Sequence, residues 1–255
     1  VSFDCHNHLQ NSERNAREEI LARAEKAGVT RMMCCASGAE GDWDRLTTLR
    51  EERPATILAS YGLHPCWIVG APTDWKRRLE VRLERNASGI GEIGLDKSPR
   101  CKASLAEQEA AFSWQLDLAR EGNRPVSIHC VHAWEELFRT LRGRERQRLL
   151  FHGFAASGEI ARELVRRGVH LSLGGALLRM PSAKAHVLLA EIPSGFLHFE
   201  SDYTGPRPGA FLAPEPGDLP LVVECAARLL GRDAHLLDEE AAASSEAFFS
   251  AAIPS

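Results

Sequence analysis

No apolar run in this chain approaches the roughly 18 residues that a membrane-spanning helix needs. The start carries no signal-peptide pattern and already reads as strand from Val1. No C-x-x-C pair occurs among the seven cysteines, and Cys34 and Cys35 are adjacent. That usage predicts reduced thiols in a cytoplasmic protein, acting as small core residues or incidental surface groups. Positive charge is not in excess: Lys and Arg number 31 against 35 Asp and Glu, a formal net charge of −4. A global basic field of the kind that non-specific nucleic-acid binders carry is thereby excluded. Contact with a phosphate backbone must be local or carried by metal. Nothing marks a second domain, and 255 residues suit one barrel domain over 1–255.

What is present is a regular alternation of apolar bursts and amphipathic stretches. Strands are expected at 1–8, 29–36, 55–63, 89–95, 125–130, 148–152, 169–174 and 196–202. Helices are expected at 15–27, 41–53, 73–86, 104–121, 132–142, 157–167, 182–191, 219–231 and 233–250. Gly28 and Gly168 stop two of them. Thr73 is the expected N-cap of the third, and Ser104 with Glu107 forms a capping box on the fourth. Eight strand-helix units with short connections imply a parallel sheet closed into an α/β (β/α)8 TIM barrel, with an open doubly wound sheet as the alternative. Residues 203–218 are too rich in proline and glycine for regular structure. A long loop after a strand points to function, a solvated excursion being the other reading.

The strand ends carry the chemistry. Asp4, His6 and His8 fall at the strand period of two, so the spacing points all three the same way. Later strands bring His64, Glu92, His129, His152 and Asp202 to the C-terminal rim, where barrel active sites lie. Parity agrees. Val126, Ile128 and Cys130 take the outward positions of strand five, and His129 faces in. Leu149 and Phe151 do so on strand six, Gly91, Ile93 and Leu95 on strand four, and Leu197 and Phe199 on strand eight. Alone, each residue has a plainer reading: a hydrogen-bonded core histidine, Glu92 paired with Lys97, Asp202 capping a turn. Together, acids and imidazoles in one barrel mouth are costly to desolvate without a cation.

The set suffices for two divalent metal ions (Zn, Mn, Mg or Ni). His6 and His8 suit one, His129 and His152 the other, and Glu92 has two oxygens with which to bridge them. Asp202 is expected to bind one ion and to orient or deprotonate a water. Asp202 and Glu92 are thus the expected catalytic residues. His64 is expected to contact substrate more than metal. Asp4 is left as either a ligand or a residue that orients a histidine.

These residues resemble the TatD-type metal-dependent deoxyribonucleases, within the amidohydrolase-like barrels. The resemblance runs through Asp4-Cys5-His6-Asn7-His8, Gly62-Leu63-His64-Pro65, Gly91-Glu92-Ile93-Gly94-Leu95-Asp96, Pro125-Val126-Ser127-Ile128-His129-Cys130, Phe151-His152-Gly153-Phe154 and Glu200-Ser201-Asp202. It implies a (β/α)8 fold, a divalent-metal site at His6, His8, Glu92, His129, His152 and Asp202, and hydrolysis of DNA phosphodiester bonds. The chain departs from the pattern where Cys130-Val131-His132 follows His129, a place where relatives carry a basic residue. Residues 203–220 keep Pro206, Arg207 and Pro208 but lack the usual Arg-Asn-x-Pro element, and Arg207 is the expected substrate contact there. These departures weaken phosphate recognition, which leans on Arg and backbone donors.

The expected activity is a metal-dependent phosphodiesterase acting on DNA ends or a related small phosphoester. An amidohydrolase or lactonase acting on a small metabolite is the alternative, although strand four offers Glu92 and no lysine as the bridging group. A non-catalytic barrel that keeps metal for stability is the third reading. No membrane and no obligate protein partner is expected. Helix packing is the expected use of Trp43, Trp75, Trp114 and Trp134, while Trp67 lies nearest the rim. The run Arg142–Arg148 reads as a solvated turn at the opposite end.

Overall fold

The computed structural model describes residues 2–38, 41–205 and 214–252. Strands β1 (Ser2–Asn7), β2 (Val29–Ala36), β3 (Ile57–Tyr61), β4 (Gly89–Asp96), β5 (Val126–Val131), β6 (Leu149–Phe151), β7 (Val169–Leu173) and β8 (Leu197–Phe199) pair in parallel, in sequence order. Helices α1 (Arg14–Lys26), α2 (Asp42–Glu52), α3 (Trp75–Arg85), α4 (Leu105–Glu121), α5 (Trp134–Thr140) and α6 (Gly158–Arg166) follow the first six strands. Then come α7 (Ala176–Arg179), α8 (Ser182–Ala190), α9 (Leu219–Leu230) and α10 (Ala234–Phe249). Ladder pairing runs from β1 to β8, and the circle is completed just beyond the strand ends. Asp202 N donates to His6 O at 3.0 Å, and His8 N donates to Tyr203 O at 2.7 Å.

The core has two layers. Val126, Ile128, Leu149, Phe151, Leu197 and Phe199 belong to the large outer layer between strands and helices. Inside the barrel, Phe3, Cys5, Met33, Cys35, Leu58 and Leu150 pack with Phe248, Phe249 and Ala252. The end of α10 and the turn after it therefore plug the N-terminal end of the barrel with apolar side chains. Each fully buried large side chain contributes about 1.5–3 kcal/mol of transfer free energy. The polar residues are left at the other end.

Local chemistry explains most element ends. Gly28 takes φ 84°, a left-handed conformation that closes α1. Ser104 and Glu107 form the capping box on α4. Thr73 does not cap α3. The helix starts at Trp75, whose N–H bonds Pro72 O at 3.0 Å, and Asp74 spends its carboxylate on Arg78. Strand eight is shorter than its sequence pattern, because the backbone of Ser201 leaves the ladder to bond Asp4 Oδ1 at 2.9 Å. The one-turn helix α7 was not legible as a separate element. Arg148 is not merely solvated: it bonds Ser250 Oγ at 2.9 Å and so ties down the C-terminal plug.

Two strands break the period of two. In β1 the register with β2 shifts between Asp4 and Asn7. Asp4 pairs with Met32 of the outer layer, whereas Cys5 belongs to the inner layer. The expectation that Asp4, His6 and His8 share one direction is thus corrected. In β4 the register shifts between Ile90 and Ile93, so both isoleucines join the outer layer although they stand three positions apart, a step that regular alternation sends to opposite faces.

Candidate metal centre

Two glycines let β4 and β5 approach closely. A Cβ on Gly91 would lie 2.8 Å from Ser127 Cβ, and one on Gly94 would lie 1.9 Å from His129 O. This approach puts Glu92 beside His129. Glu92 is buried and takes the middle of the barrel mouth. Its Oε1 lies 2.7 Å from His152 Nε2, 2.9 Å from His129 Nδ1 and 3.5 Å from His64 Nε2. Its Oε2 lies 3.4 Å from His8 Nε2 and 3.9 Å from His6 Nε2. Five imidazoles therefore converge on one carboxylate.

The outer ring nitrogens decide what those imidazoles present. His8 Nδ1 lies 2.6 Å from Cys35 O, and His129 Nε2 lies 3.2 Å from Asp96 Oδ2. A carbonyl and a carboxylate only accept, so these nitrogens carry the hydrogen and leave the opposite ones, which face Glu92, to take up a proton or a cation. Against burial, Glu92 raises the pKa of both rings, with Asp96 adding to it at His129. An acceptor facing a carboxylate at 2.9 Å is repulsive unless a proton or a cation lies between them. His6 Nδ1 is held by Ser127 Oγ at 2.7 Å. His152 Nδ1 faces Glu200 Oε1 at 3.6 Å, and neither atom has a hydrogen-bond partner. The donor set, with its outer nitrogens held by oxygen atoms, fits divalent metal ions.

His64 is turned the other way. Its Nδ1 accepts from Cys66 N at 3.1 Å, so Nε2 carries the hydrogen and offers a donor to the centre. Among the described residues, three groups of donor atoms lie within 4.8 Å of one another around the centre: His6, His8 and Glu92; His64, Glu92 and His129; and His6, His152 and Asp202. Glu92 belongs to two of them. His152 stacks on His6, with ring centroids 3.8 Å apart, and so stands with Asp202 as well as with Glu92.

The electrostatics follow the crowding. Burial alone would raise the Glu92 pKa, but His64, His152 and the bonds from His129 and His152 hold it well below the usual range. Burial, with His152 beside it, keeps His6 from protonating. Burial also lowers His64 to about 4, against the pull of Glu92. Asp202 differs: burial raises its pKa, His152 opposes the rise and Glu200 adds to it. Its side chain is 41% exposed, and Oδ1 lies 4.0 Å from His8 Nε2. It sits at φ 48°, a left-handed conformation that aspartate tolerates better than most residues. A partly exposed carboxylate with a raised pKa beside the imidazole cluster is suited to taking a proton.

Asp4 does not reach the cluster. Its Oδ2 accepts from Ser201 Oγ at 2.6 Å and from Asn7 Nδ2 at 3.1 Å, and burial lifts its pKa to about 7 despite the bonds from Ser201. It holds the end of β8 against β1 and so sets the backbone of Asp202. Lys97, a sequence candidate to pair Glu92, instead bonds Glu136 at 2.8 Å. Arg207, with Pro206 and Pro208, lies outside the described residues. Sequence reasoning gave no role to Asp96, Ser127 or the carbonyl of Cys35. Ser127 stands two residues before His129, so strand parity could have found it. Asp96 ends the Gly91–Asp96 motif, and Arg100 approaches it to 3.6 Å.

The cysteines also differ from expectation. Cys66 and Cys101 form a disulfide, while Cys5, Cys34, Cys35, Cys130 and Cys225 are free. A groove of ≈ 1020 Å³ runs outside the barrel along α2 and α3, lined by Trp43, Trp67, Arg77 and Arg82 among others. It holds none of the clustered imidazoles, so the chemistry belongs to the barrel mouth. Trp67 is 47% exposed, whereas Trp75 and Trp114 pack edge to face.

The model of the family described as TatD related DNase matches residues 3–250. The chain belongs to the TatD-related DNase family. It is 27% identical over 241 residues to the deoxyribonuclease TATDN3 of Homo sapiens, covering 89% of this chain and 87% of the relative. To the 3'-5' ssDNA/RNA exonuclease TatD of Dickeya dadantii it is 30% identical over 249 residues, with 92% of each chain covered. The crystal structure of YJJV, a TatD homologue from Escherichia coli K12, superposes with a TM-score of 0.84 at 25% identity and covers 98% of both chains. Relatives in Bacillus subtilis and Mycobacterium tuberculosis are called metal-dependent hydrolases. Membership accounts for the barrel. Among the described residues no helix is long and apolar enough to cross a membrane.

Proposed function

We propose that this TatD-family chain is a divalent-metal-dependent phosphodiesterase that hydrolyses nucleic-acid strands from an end, DNA first. The observation that carries the reading is the convergence of five histidine ring nitrogens on the one buried carboxylate of Glu92. The naming of relatives as deoxyribonucleases and as an exonuclease supports the choice of bond.

In this reading His6, His8 and Glu92 would hold one ion, and Glu92, His129 and His152 a second, with Asp202 as a further ligand to one of them. Two divalent ions (Zn, Mn, Mg or Ni) would supply Lewis-acid charge at the phosphoryl oxygens and acidify a water. Asp202 accepts the proton of the attacking water, a role that its partial exposure and its place 4.0 Å from His8 Nε2 suit. His64 offers its Nε2 hydrogen to a phosphoryl oxygen. Arg207 remains the expected substrate contact. We place the protein in the cytoplasm, a compartment that suits the free buried thiols of Cys5, Cys34 and Cys35, with the Cys66–Cys101 disulfide as the pair that departs from it.

The test is metal content by mass spectrometry, followed by end-labelled single-stranded DNA with Mg, Mn, Zn and Ni in turn. Shortening of the labelled strand is expected. Asp202→Asn is expected to keep its fold while losing about 100-fold or more of turnover. Absence of cleavage of DNA and of model phosphodiesters with every metal would sink the reading. One observation favours a second: Cys130-Val131-His132 leaves no arginine directly after His129. Turnover of lactones or cyclic amides without phosphodiesterase activity would move the assignment to an amidohydrolase or lactonase.

A further inference from the structure

A fourth group of donors lies beside the centre, on the far side of His64. Cys66 follows His64 by two residues in the short turn Pro65–Trp67, and Cys101 comes from the segment between β4 and α4. One ring nitrogen of His64 and the two sulfurs lie within 4.8 Å of one another. His64 Nδ1 accepts the Cys66 backbone N–H at 3.1 Å, so it lies on the cysteine side while Nε2 faces Glu92, and that bond must open before the Nδ1 lone pair serves a metal. Asp96 Oδ2 stands 3.7 Å from Cys66 Sγ and supplies a nearby oxygen. Both cysteines are partly exposed, unlike Cys5, Cys34 and Cys35, so small reagents reach them. Nothing in the phosphodiesterase reading uses either sulfur.

One imidazole, two thiolates and a neighbouring carboxylate are the donors that select zinc or copper(I) over magnesium or manganese. A disulfide between the same two sulfurs removes both ligands. We propose that His64, Cys66 and Cys101 form a separate soft-metal site that is open when the cysteine pair is reduced and closed when it is a disulfide. Opening needs a dithiol reductant. The S–S bond breaks, the reductant supplies two electrons and two protons and itself becomes a disulfide, and two thiols result. Capture of a divalent ion then releases two protons from those thiols to solvent. Closing uses a low-molecular-weight disulfide as oxidant. It takes up the two electrons, leaves as two thiols after gaining two protons from solvent, and the ion is set free. The site stands whether or not the centre at Glu92 cleaves phosphodiesters, because its donors are complete without a substrate.

The experiment titrates the whole chain with cobalt(II), a spectroscopic substitute for zinc, after reduction with dithiothreitol or oxidation with glutathione disulfide. Wild type is compared with Cys66→Ser/Cys101→Ser. The reduced wild type is expected to bind about one more cobalt per chain than the double variant and to show a near-ultraviolet thiolate-to-cobalt band. The band should be absent from the oxidised protein and from the variant. Equal uptake with no band in the reduced wild type overturns the proposal, as does a band that survives oxidation or the double substitution. If the variant does not fold, the reduced and oxidised forms of the wild type give the same decision.

Discussion

His129 Nε2 and Asp96 Oδ2 stand 3.2 Å apart across neighbouring strands, and this contact decides which ring nitrogen of His129 faces Glu92. Burial would raise the Asp96 pKa, but the bonds from His129 and Ser98 hold it well below the carboxylate range. Asp96→Asn keeps the shape and removes the charge that orients the ring. Metal affinity is expected to fall about 10–100-fold. Competition against a chelator of known affinity measures it, and unchanged affinity would detach Asp96 from the centre.

Gly94 is the point at which backbone geometry and site meet. Its φ is 149°, and an added Cβ would lie 1.9 Å from the carbonyl oxygen of His129, a backbone atom that cannot swing aside. Gly94→Ala is therefore expected to push β4 off β5, costing about 3 kcal/mol or more and lowering metal content with it. Gly195→Ala is the control. Nothing lies within 4 Å of its Cβ position, and the change should stay within about 1 kcal/mol. Urea midpoints for the two variants decide the matter; equal midpoints would refute the packing argument.

At the plugged end, His170 Nδ1 lies 2.8 Å from His198 Nε2, and His198 Nδ1 lies 2.8 Å from Ser245 Oγ. The rings of Phe196 and Phe248 pack on this pair. Burial holds His198 at about 3 and His170 at about 4. The unfolded value is about 6.5, so below that pH the unfolded chain binds more protons than the folded one. Stability should be full above pH ~6.5, fall as pH drops, and level off only below pH ~3–4. The loss by pH ~4.5 should be on the order of 2–5 kcal/mol for the pair. His170→Phe/His198→Leu should flatten this slope in urea melts run between those pH values. A slope identical to that of the wild type would show that other groups carry the acid sensitivity.

The sequence by itself determined the barrel and most of what lines its mouth. Alternating apolar periods are a local signal, and Val126, Ile128, Leu149 and Phe151 obey it because each strand must bury one face against helices. The same parity turns His129 and His152 inwards. Chain order also mattered: eight units in sequence order leave each strand end at one rim.

Only the tertiary structure decided the rest. The breaks in β1 and β4 separate Asp4 from His6 and realign Glu92, and an irregular register leaves no mark on hydrophobic period. The tautomers of His8, His64 and His129 depend on Cys35 O, Cys66 N and Asp96, partners that folding brings to the outer nitrogens. Cys66 and Cys101 meet across 35 residues of chain with no motif to announce them. Periodicity tells each side chain which layer to join. Which nitrogen, oxygen or sulfur it then meets is set by contacts between strands and loops, and those exist only once the barrel has closed.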